Sequence, residues 1–342
     1  MDRIHLKLNS AMQRLMLWTG RHPDYEGIWV AHEVHGQDVL FERVHTESPA
    51  KLKSWLVAIR AISLTATLMP ALAVCLWLMA MEVSIQWFPT LCAIVGVLFL
   101  QIAVNLFNDV GDYLKLIDLP TSLGGSGVIQ KGWLTTKQVR NGAWFSLVLG
   151  CMLGVPALIQ APVGILACGL MAVLGVIGYS GKPFNLKYRA LGDFAVFALC
   201  GPILTMGVSY AATGAIEMGV LLIGCFFGFA AAAILNANNM NDIEVDTGRG
   251  AATLASVIGF QLARNWQAAY YMAAYVSIGL LVEASSYWVM LPMVTLPLAI
   301  KQIATLKRAT HSSDEALAEI RFDAAKLHLL MGVCLCVGLL LV

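Results

Sequence analysis

Charged residues are scarce in this chain of 342 residues. Asp, Glu, Lys and Arg together make up 13% of it, about half of the ~25% that a soluble domain usually carries. The composition therefore favours a lipid environment. The net charge of +1 also excludes the strongly basic surface with which proteins bind nucleic acids, so we expect no nucleic-acid partner.

Cysteines are absent from every polar stretch of the sequence. All eight lie within apolar runs, where a secreted disulfide framework would not place them. None of their spacings matches a zinc site. The pattern argues against both kinds of cysteine-based structure.

A two-residue alternation of apolar and polar residues, which a membrane β-barrel needs, does not recur along the chain. Hydrophobic residues instead make up 58% of it and gather in runs near the ~20 residues that a helix needs to cross a membrane. We predict an all-α, multi-pass integral membrane protein with nine transmembrane helices. The predicted spans are residues 55–81, 87–108, 142–159, 163–179, 191–213, 218–240, 265–282, 287–303 and 326–342.

Lys and Arg are distributed on one side of the predicted spans only. The N-terminal tail and the loops after spans 2, 4, 6 and 8 contain all 22 of them, and the opposite loops contain none. The positive-inside rule then predicts a cytoplasmic N-terminus and an outside C-terminus, in the inner or cell membrane of a prokaryote.

Residues 1–51 form a predicted cytoplasmic tail, separate from a membrane domain over residues 52–342. Within residues 3–18, apolar side chains fall on one helical face and cations on another, which predicts an amphipathic helix lying on the membrane. The segments Ile28–Val34 and Val39–Val44 flank a polar turn and predict a β-hairpin.

Acidic and amide side chains gather at the ends of the second and sixth spans. Each end contains an Asn-x-x-x-Asp pattern, Asn105 with Asp109 and Asn238 with Asp242. A further Asp follows three or four residues later, a spacing that stacks side chains on one helical face. We call these sets the two acidic columns. Their other members are Asp112, Asp118 and Asp246.

Two such columns facing each other would suit Mg²⁺ around a diphosphate. Mg²⁺ usually takes one or two carboxylates and completes its shell with water and substrate phosphates. Bound metal neutralises the leaving group, so that its bond to an allylic carbon can ionise. The alternative is that these residues only end their helices in polar surroundings. That would be ordinary for one column, but a parallel pair favours the metal site.

Cations in the predicted cytoplasmic loops fit an anionic substrate, because Lys and Arg bind phosphate oxygens. A glycine-rich stretch, Gly124–Gly132, follows the second span and would let backbone amides approach a phosphate, or would be a flexible lid. Simple positive-inside placement is the alternative for the cations. The candidates are Lys131, Lys182, Lys187 and Arg189, with Tyr179 at the start of the loop between spans 4 and 5.

These motifs resemble the UbiA superfamily of membrane prenyltransferases, and within it the 1,4-dihydroxy-2-naphthoate polyprenyltransferases of menaquinone synthesis. The similarity runs from about residue 52 to 340 and includes both acidic motifs in their usual order. The motifs that carry it are Trp55–Arg60, Asn105–Asp112 with Asp118, Tyr179–Phe184, Arg189–Asp193, Gly201–Pro202, and Asn238–Asn239 with Asp242 and Asp246.

The resemblance implies nine helices around a central cavity, with Mg²⁺ and diphosphate under a cytoplasmic cap. It also implies that Asn238 lies beside the metal, and that Tyr179 and Lys182 lie near the diphosphate and the reacting carbon. The implied holders of the Mg²⁺–diphosphate are Asn105, Asp109, Asp112, Asp242 and Asp246.

The chain departs from that family at several basic positions. Asn241 stands where an Arg commonly precedes the first Asp of the second motif, and Ala251–Ala252 stands where a Lys-Arg pair is usual. Arg249 is near enough in sequence to substitute for that pair. Ala61 follows Arg60 where Pro is usual. Fewer cations around the diphosphate leave the donor length and the acceptor open.

The resulting interpretation is Mg²⁺-dependent transfer of a polyprenyl chain from its diphosphate onto an aromatic acceptor, expected to be 1,4-dihydroxy-2-naphthoate. Asp112 or Asp118 would remove the proton from the attacked ring. Arg60 would either meet the acceptor's carboxylate or extend to the membrane surface. The alternatives are another acceptor (4-hydroxybenzoate, homogentisate, chlorophyllide or a glycerol phosphate), a transporter, or an isoprenoid binder without turnover. The oligomeric state stays open.

Overall fold

Helices make up most of the chain in the computed structural model, which describes residues 2–45, 48–120 and 125–342. Gly124, the first glycine of the predicted phosphate-approach stretch, lies outside the described residues. The helices are α1 Ala11–Thr19, α2 Lys51–Ala58, α3 Thr65–Ala80, α4 Trp87–Leu114, α5 Thr136–Leu153, α6 Val155–Gln160, α7 Pro162–Ser180, α8 Gly192–Cys200, α9 Pro202–Thr213, α10 Met218–Asn241, α11 Ile243–Gly248, α12 Leu254–Ile258, α13 Phe260–Leu281, α14 Leu296–Arg308 and α15 Ile320–Leu340. The strands are β1 Arg3–Lys7, β2 Ile28–His35 and β3 Asp38–Val44.

Nine helical segments in the described part of the chain correspond to the nine predicted spans. One of them, α13, matches the predicted span 265–282 and is more polar than the rest, with Arg264 and Gln267 in its first half. The prediction of a helical, multi-pass membrane protein is therefore confirmed. The other eight are long and apolar enough to cross a membrane: Ala61–Ala80, Trp87–Leu114, Thr136–Gln160, Pro162–Ser180, Gly192–Thr213, Met218–Asn241, Tyr287–Arg308 and Glu315–Leu340.

The first predicted span is not one continuous helix. α2 ends at Ala58, and Arg60 has a left-handed backbone with φ of 52° before the 3₁₀ turn Ala61–Leu64 leads into α3. A residue with this backbone cannot continue a right-handed helix. The break turns the Arg60 side chain to α4, where it binds Asp109.

α8 and α9 are two halves of one span, separated at Gly201–Pro202. Proline lacks the N–H that would continue the hydrogen-bond ladder of α8. A Cβ atom at Gly201 would collide with the carbonyl oxygen of Gly224 in α10, so glycine here permits close approach of the two helices.

α10 is the most enclosed of the apolar spans, with 61% of its most apolar window buried. Its side chains Ile223, Phe226 and Phe227 pack with Leu78 of α3 and Ile278 of α13. Because lipid is as apolar as these side chains, close packing rather than exclusion of water holds such helices together. α10 also ends in the second acidic column, so its packing positions that column.

The N-terminal tail contains a three-stranded antiparallel sheet in the order β1-β3-β2. The predicted hairpin is confirmed as β2 and β3. The predicted helix over residues 3–18 is wrong in its first part, because residues Arg3–Lys7 form β1 and pair with β3. Ile4 and Leu6 alternate with polar neighbours and so present one apolar side of a strand. The helix begins only after Ser10, whose hydroxyl accepts from the N–H of Gln13.

One side of α1 packs on the bundle, while part of the predicted apolar face stays exposed, with Leu8 and Leu15 at 38% and 43%. Met16 and Leu17 are buried in one cluster with Trp29 and Phe41 of the sheet and with residues of α4 and α5. The hydroxyl of Thr136 at the start of α5 donates to the carbonyl of Leu17 at 2.6 Å. Gln13, Met16 and Leu17 are therefore the buried side of α1, and contact of its exposed apolar side with the membrane stays a prediction.

Candidate active site

A cavity of about 1050 Å³ lies inside the bundle, and members of both acidic columns line one end of it. We call this the charged end. Away from it, apolar side chains of α4, α7, α8 and α9 form most of the wall. The two columns, which the sequence predicted to face each other, are brought to one cavity. The column residues that line it are Asn105, Asp112, Asp118, Asn238, Asp242 and Asp246.

Asp109 is buried but is not part of the cavity wall. The guanidinium of Arg60 donates to one of its oxygens. Ser126 donates to the other through its hydroxyl and through its N–H at 3.3 Å. Burial opposes the charge of Arg60, but Asp109 outweighs it and the pKa of Arg60 is raised. Asp109 is thus held in an ion pair with the start of the first span.

Asp112 is held by three donors. Lys187, in the 3₁₀ turn Leu186–Tyr188, donates to Oδ2 at 2.8 Å, and the amide of Asn108 donates to the same oxygen at 2.9 Å. The hydroxyl of Tyr188 donates to Oδ1. Burial disfavours the charge of Lys187, but Asp112 more than compensates and raises the pKa of Lys187. The loop between α7 and α8 therefore brings a cation to the first column.

Asn105 is fixed by its own amide group. Its Nδ2 donates to the hydroxyl of Ser63 at 2.8 Å and to the carbonyl of Ile59 at 3.2 Å. Its Oδ1, the atom that would bind a metal, accepts from Gln101 at 3.3 Å. These contacts orient Asn105 through the break in the first span.

The second column has fewer positive partners. Asp242 accepts from Asn238 at 3.2 Å, and Asp246 accepts from the hydroxyl of Thr253 at 3.2 Å. Burial raises the pKa of Asp246 to about 6, and the ammonium of Lys187 opposes that rise. Burial also raises the pKa of Asp242, and nearby Arg321 opposes it. Both carboxylates thus accept from neutral donors and line the cavity.

Arg321 and Arg249 add cations on this side. Arg321, in the first turn of α15, lines the cavity and places Nη1 3.4 Å from Oδ1 of Asn238. Burial lowers the pKa of Arg249, and the charges of Asp118 and Asp246 oppose that decrease. This guanidinium therefore interacts electrostatically with both columns. Its buried Nη1 has no hydrogen-bond partner among the described residues. Such an orphaned donor fits an anionic ligand.

The remaining predicted residues are placed less centrally, apart from Tyr179, which is buried in the cavity wall. Lys182 and Arg189 are exposed in the loop between α7 and α8 and do not line the cavity. Lys131 is also exposed, and its ammonium lies 4.8 Å from the ring centre of Trp133.

Several functional contacts were missed by the sequence reasoning. Ser126 lies in the glycine-rich stretch, which the sequence predicted as a phosphate approach or a lid and not as a partner of Asp109. Tyr188 lies between Lys187 and Arg189, and its residue type alone does not mark it as a partner of a carboxylate. Arg321 precedes the predicted last span, which began at residue 326. The extra turn of charged residues in α15, starting at Ile320, is the signal that would have placed Arg321 on a helix.

Within the described residues, no three His, Cys, Asp or Glu side chains come together closely enough to hold a metal by themselves. The donor set is instead split between two columns of carboxylate and amide oxygens. That arrangement fits an ion such as Mg²⁺, which binds one or two carboxylates and shares phosphate oxygens of its substrate.

A helical membrane bundle with charged groups at one end of an apolar cavity fits a membrane protein that binds an apolar molecule with a polar head. The model of the UbiA prenyltransferase family matches residues 67–341, and the chain belongs to this family. Its members are prenyltransferases, and so is this protein. The family prediction is confirmed.

Curated relatives cover most of the chain. The 1,4-dihydroxy-2-naphthoate octaprenyltransferase of Escherichia coli (strain K12) is 31% identical over 228 residues, which are 64% of this chain and 73% of that protein. The Bacillus subtilis (strain 168) enzyme of the same name is 27% identical, with 71% and 79% covered. The UbiA prenyltransferase domain-containing protein 1 of Homo sapiens is 28% identical, with 85% and 84% covered.

Solved structures share the fold. The apo structure of a UbiA homolog from Aeropyrum pernix K1 superposes with a TM-score of 0.62 at 16% identity, covering 83% of this chain and 98% of that one. A UbiA homolog from Archaeoglobus fulgidus bound to GPP and Mg²⁺ gives a TM-score of 0.53 at 13% identity, with 82% and 99% covered. At these identities the likeness concerns the fold alone.

Proposed function

We propose that the protein transfers a polyprenyl chain from its diphosphate to 1,4-dihydroxy-2-naphthoate, in quinone synthesis. The observation that carries the proposal is the pair of acidic columns at one end of an apolar cavity. The apolar wall suits an isoprenoid chain, and the few polar groups at its end suit the diphosphate. The names of the Escherichia coli and Bacillus subtilis relatives support this acceptor.

Mg²⁺ is the proposed cofactor, and it would neutralise the diphosphate as it leaves. Asp242 and Asp246 accept hydrogen bonds from the neutral side chains of Asn238 and Thr253, which supports a cation site there, and the Archaeoglobus fulgidus homolog binds GPP and Mg²⁺. Asp109 and Asp112 already pair with Arg60 and Lys187, so each carboxylate would bind both its cationic side chain and the metal. The proposed ligands are Asn105, Asp109, Asp112, Asp242 and Asp246, with Asn238 beside them.

Cations of the site are proposed to hold the diphosphate oxygens. Lys187 and Arg321 line the cavity, and Arg249 has an unpartnered nitrogen. Such charge-assisted hydrogen bonds are stronger than neutral ones. Lys131, Lys182 and Arg189 are exposed at the same end, where they would attract the donor from solution.

The proposed reaction exchanges one bond for another. The bond between the terminal allylic carbon and the diphosphate oxygen breaks, and its electron pair leaves with the diphosphate. A ring carbon of the acceptor then forms the new carbon–carbon bond, and the ring proton passes to Asp112 or Asp118. Tyr179 in the cavity wall would stabilise the allylic cation through its aromatic face.

Arg60 is the proposed contact for the carboxylate of the acceptor. It lines the cavity while it pairs with Asp109, and its Nε has no hydrogen-bond partner in the described part of the chain. A planar guanidinium can bind two carboxylates at once because it has five donors. The proposal therefore places the acceptor beside the first column.

The test is turnover by the purified protein. The full chain is incubated in lipid nanodiscs with Mg²⁺, octaprenyl diphosphate and a panel of acceptors, and the products are identified by mass spectrometry. We expect prenylated 1,4-dihydroxy-2-naphthoate as the main product. Asp246→Asn should lower turnover by about a hundredfold or more, the order seen when a transition-state charge loses its stabiliser. Glu315→Gln, an exposed change outside the cavity, is the matched control.

Other results would replace the proposal. A different prenylated acceptor would keep the reaction and reject the naphthoate. Donor binding without any product would favour an isoprenoid binder. Full activity after removal of metal by EDTA would reject the Mg²⁺-dependent mechanism.

A further inference from the structure

We infer that the N-terminal sheet is a working part of the active site, because it holds the loop Gly125–Leu134 against the first acidic column. The inference rests on the proposed function, since it assigns a positioning role for that reaction. The sheet, residues 3–44, lies before the part of the chain that the family model matches, which begins at residue 67. It is therefore a feature that family membership alone does not describe.

The loop touches the first column at two carboxylate-bearing residues. Ser126 donates to Asp109 through both its N–H and its hydroxyl. The side-chain amide of Gln130 donates to the backbone carbonyl of Asp118 at 3.1 Å. Gly125 has a φ of 53°, and a Cβ atom there would collide with the carboxylate of Asp118. The position of this loop therefore fixes the surroundings of both carboxylates.

The other side of the loop rests on the sheet. Gly132 has a φ of 67°, and a Cβ atom there would lie 3.0 Å from Cγ2 of Ile28 and 3.1 Å from Cγ2 of Val44. Both distances are tighter than ordinary van der Waals contact. Val128 and Ile129 are buried in the same apolar cluster as the sheet. The loop is thus packed directly on β2 and β3.

The sheet itself is anchored to the helix that carries the column. The N–H of Ala31 in β2 donates to the hydroxyl of Tyr113 at 3.0 Å, and Tyr113 is the neighbour of Asp112 in α4. The helix α1, between β1 and β2 in the chain, is held to α5, where the guanidinium of Arg140 lies 4.2 Å from the ring centre of Trp18. The sheet is bonded to α4, and α4 carries most of the first column. The loop therefore contacts the sheet on one side and the column on the other.

Two matched pairs of variants test this role in the full-length protein. Ile28→Ala removes the methyl groups that meet Gly132, whereas Val34→Ala makes the same kind of cut on the same strand, away from that contact. The two side chains are 36% and 38% exposed, so similar costs in stability are expected. In the second pair, Gly132→Ala adds a methyl group against the sheet, and Gly36→Ala adds one at a φ of 61° with nothing within 4 Å.

Three measurements are made on each variant in nanodiscs: the melting temperature, the hydrogen exchange of residues 125–134, and kcat and KM for donor and acceptor. Ile28→Ala and Gly132→Ala should speed exchange in the loop and lower kcat/KM for the donor by about tenfold or more, since small misplacements at a reacting centre have effects of this order. Ser126→Ala should reproduce the kinetic loss without faster exchange at Gly132. The controls Val34→Ala and Gly36→Ala should match the wild-type protein in hydrogen exchange and kinetics.

The outcomes separate this inference from the proposed function. If exchange and kinetics of each test variant equal those of its control, the sheet has no positioning role and the inference is overturned. The same conclusion follows if activity falls only in proportion to the melting temperature. An unchanged protein that makes no prenylated product would instead reject the proposed function, while the exchange data would still decide whether the sheet holds the loop.

Discussion

At the scale of single residues, the site has more negative than positive side chains. Within the described residues, four carboxylates line the cavity and three cations do. A bound diphosphate adds further negative charge, so each cation near it should matter for donor binding. The carboxylates are Asp112, Asp118, Asp242 and Asp246, and the cations are Arg60, Lys187 and Arg321.

Arg321 is the cavity cation on the side of the second column, and Arg321→Gln should raise the KM for the donor. Loss of a hydrogen bond to a charged group costs about 1.5–3 kcal/mol, which corresponds to about a ten- to hundredfold change. The KM for the acceptor should change much less, and Arg321→Lys should restore part of the donor affinity because it keeps the charge. Steady-state kinetics with each substrate varied in turn provides the measurement.

Lys326→Gln is the control for this prediction. Lys326 lies in the same helix, is exposed, pairs with Asp323 at 3.4 Å and does not line the cavity. Equal damage to donor and acceptor kinetics in Arg321→Gln would show that Arg321 only supports the fold of the charged end.

At the scale of helices and strands, the sequence predicted the long apolar elements and failed where tertiary contacts decide. The spans α4, α7 and α10 follow from uninterrupted apolar runs, and their acidic ends follow from spacing. The left-handed backbone of Arg60 has no such signal in the local sequence. It occurs together with an ion pair to buried Asp109, a residue that is distant in sequence. The strand Arg3–Lys7 has both helical and alternating patterns, and only its partner β3 decides between them.

The contacts between the columns and the loops were beyond prediction for a related reason. Ser126, Tyr188 and Arg321 each reach a column from a segment that is distant in sequence. Spacing rules relate residues on one helix, whereas these contacts depend on how segments fold back over the cavity.

A ladder of buried hydrogen bonds links the helices behind the second column. Asn236 of α10 donates to Gln267 of α13, which donates to Tyr271, and Tyr271 donates to Gln302 of α14 at 2.6 Å. Gln302 in turn donates to the backbone carbonyl of Asp323 in α15 at 2.9 Å. The ladder thereby ties the first turns of α15, which carry Arg321, to the helix that carries the column.

Gln302→Ala should destabilise the protein because it breaks two bonds of this ladder and leaves buried partners unsatisfied. A buried polar group without a partner costs about 1–3 kcal/mol, so a lower melting temperature in nanodiscs is expected. Lys301→Ala on the same helix removes an exposed side chain and should leave the melting temperature nearly unchanged. Equal melting temperatures for the two variants would show that the ladder contributes little to stability.

At the scale of the whole molecule, the two ends of the bundle differ in charge. The segments that connect the spans opposite the charged end, residues 81–86, 161, 214–217 and 282–286, contain no Lys or Arg. They contain the acidic residues Glu82, Glu217 and Glu283, and Glu217 accepts from the indole of Trp77 at 3.3 Å. The charged end carries the acidic columns, their cations and the N-terminal sheet. By the positive-inside rule, this end should face the cytoplasm.

Reporter fusions test that orientation. A reporter that is active only on the non-cytoplasmic side, placed after Met81, should be active, because Met81 follows α3 at the end of the bundle opposite the charges. The same reporter after Lys115, which follows α4 and the first column, should be inactive, and a cytoplasmic reporter should give the reverse pattern. A fusion after Gln160 is the internal control, since α5 and α6 return the chain to the side of Met81. The same signal at Met81 and Lys115 would contradict the number of crossings between them. Reversed signals at all three sites would keep the spans but place the active site on the outer face, where a cytoplasmic supply of prenyl diphosphate could not reach it.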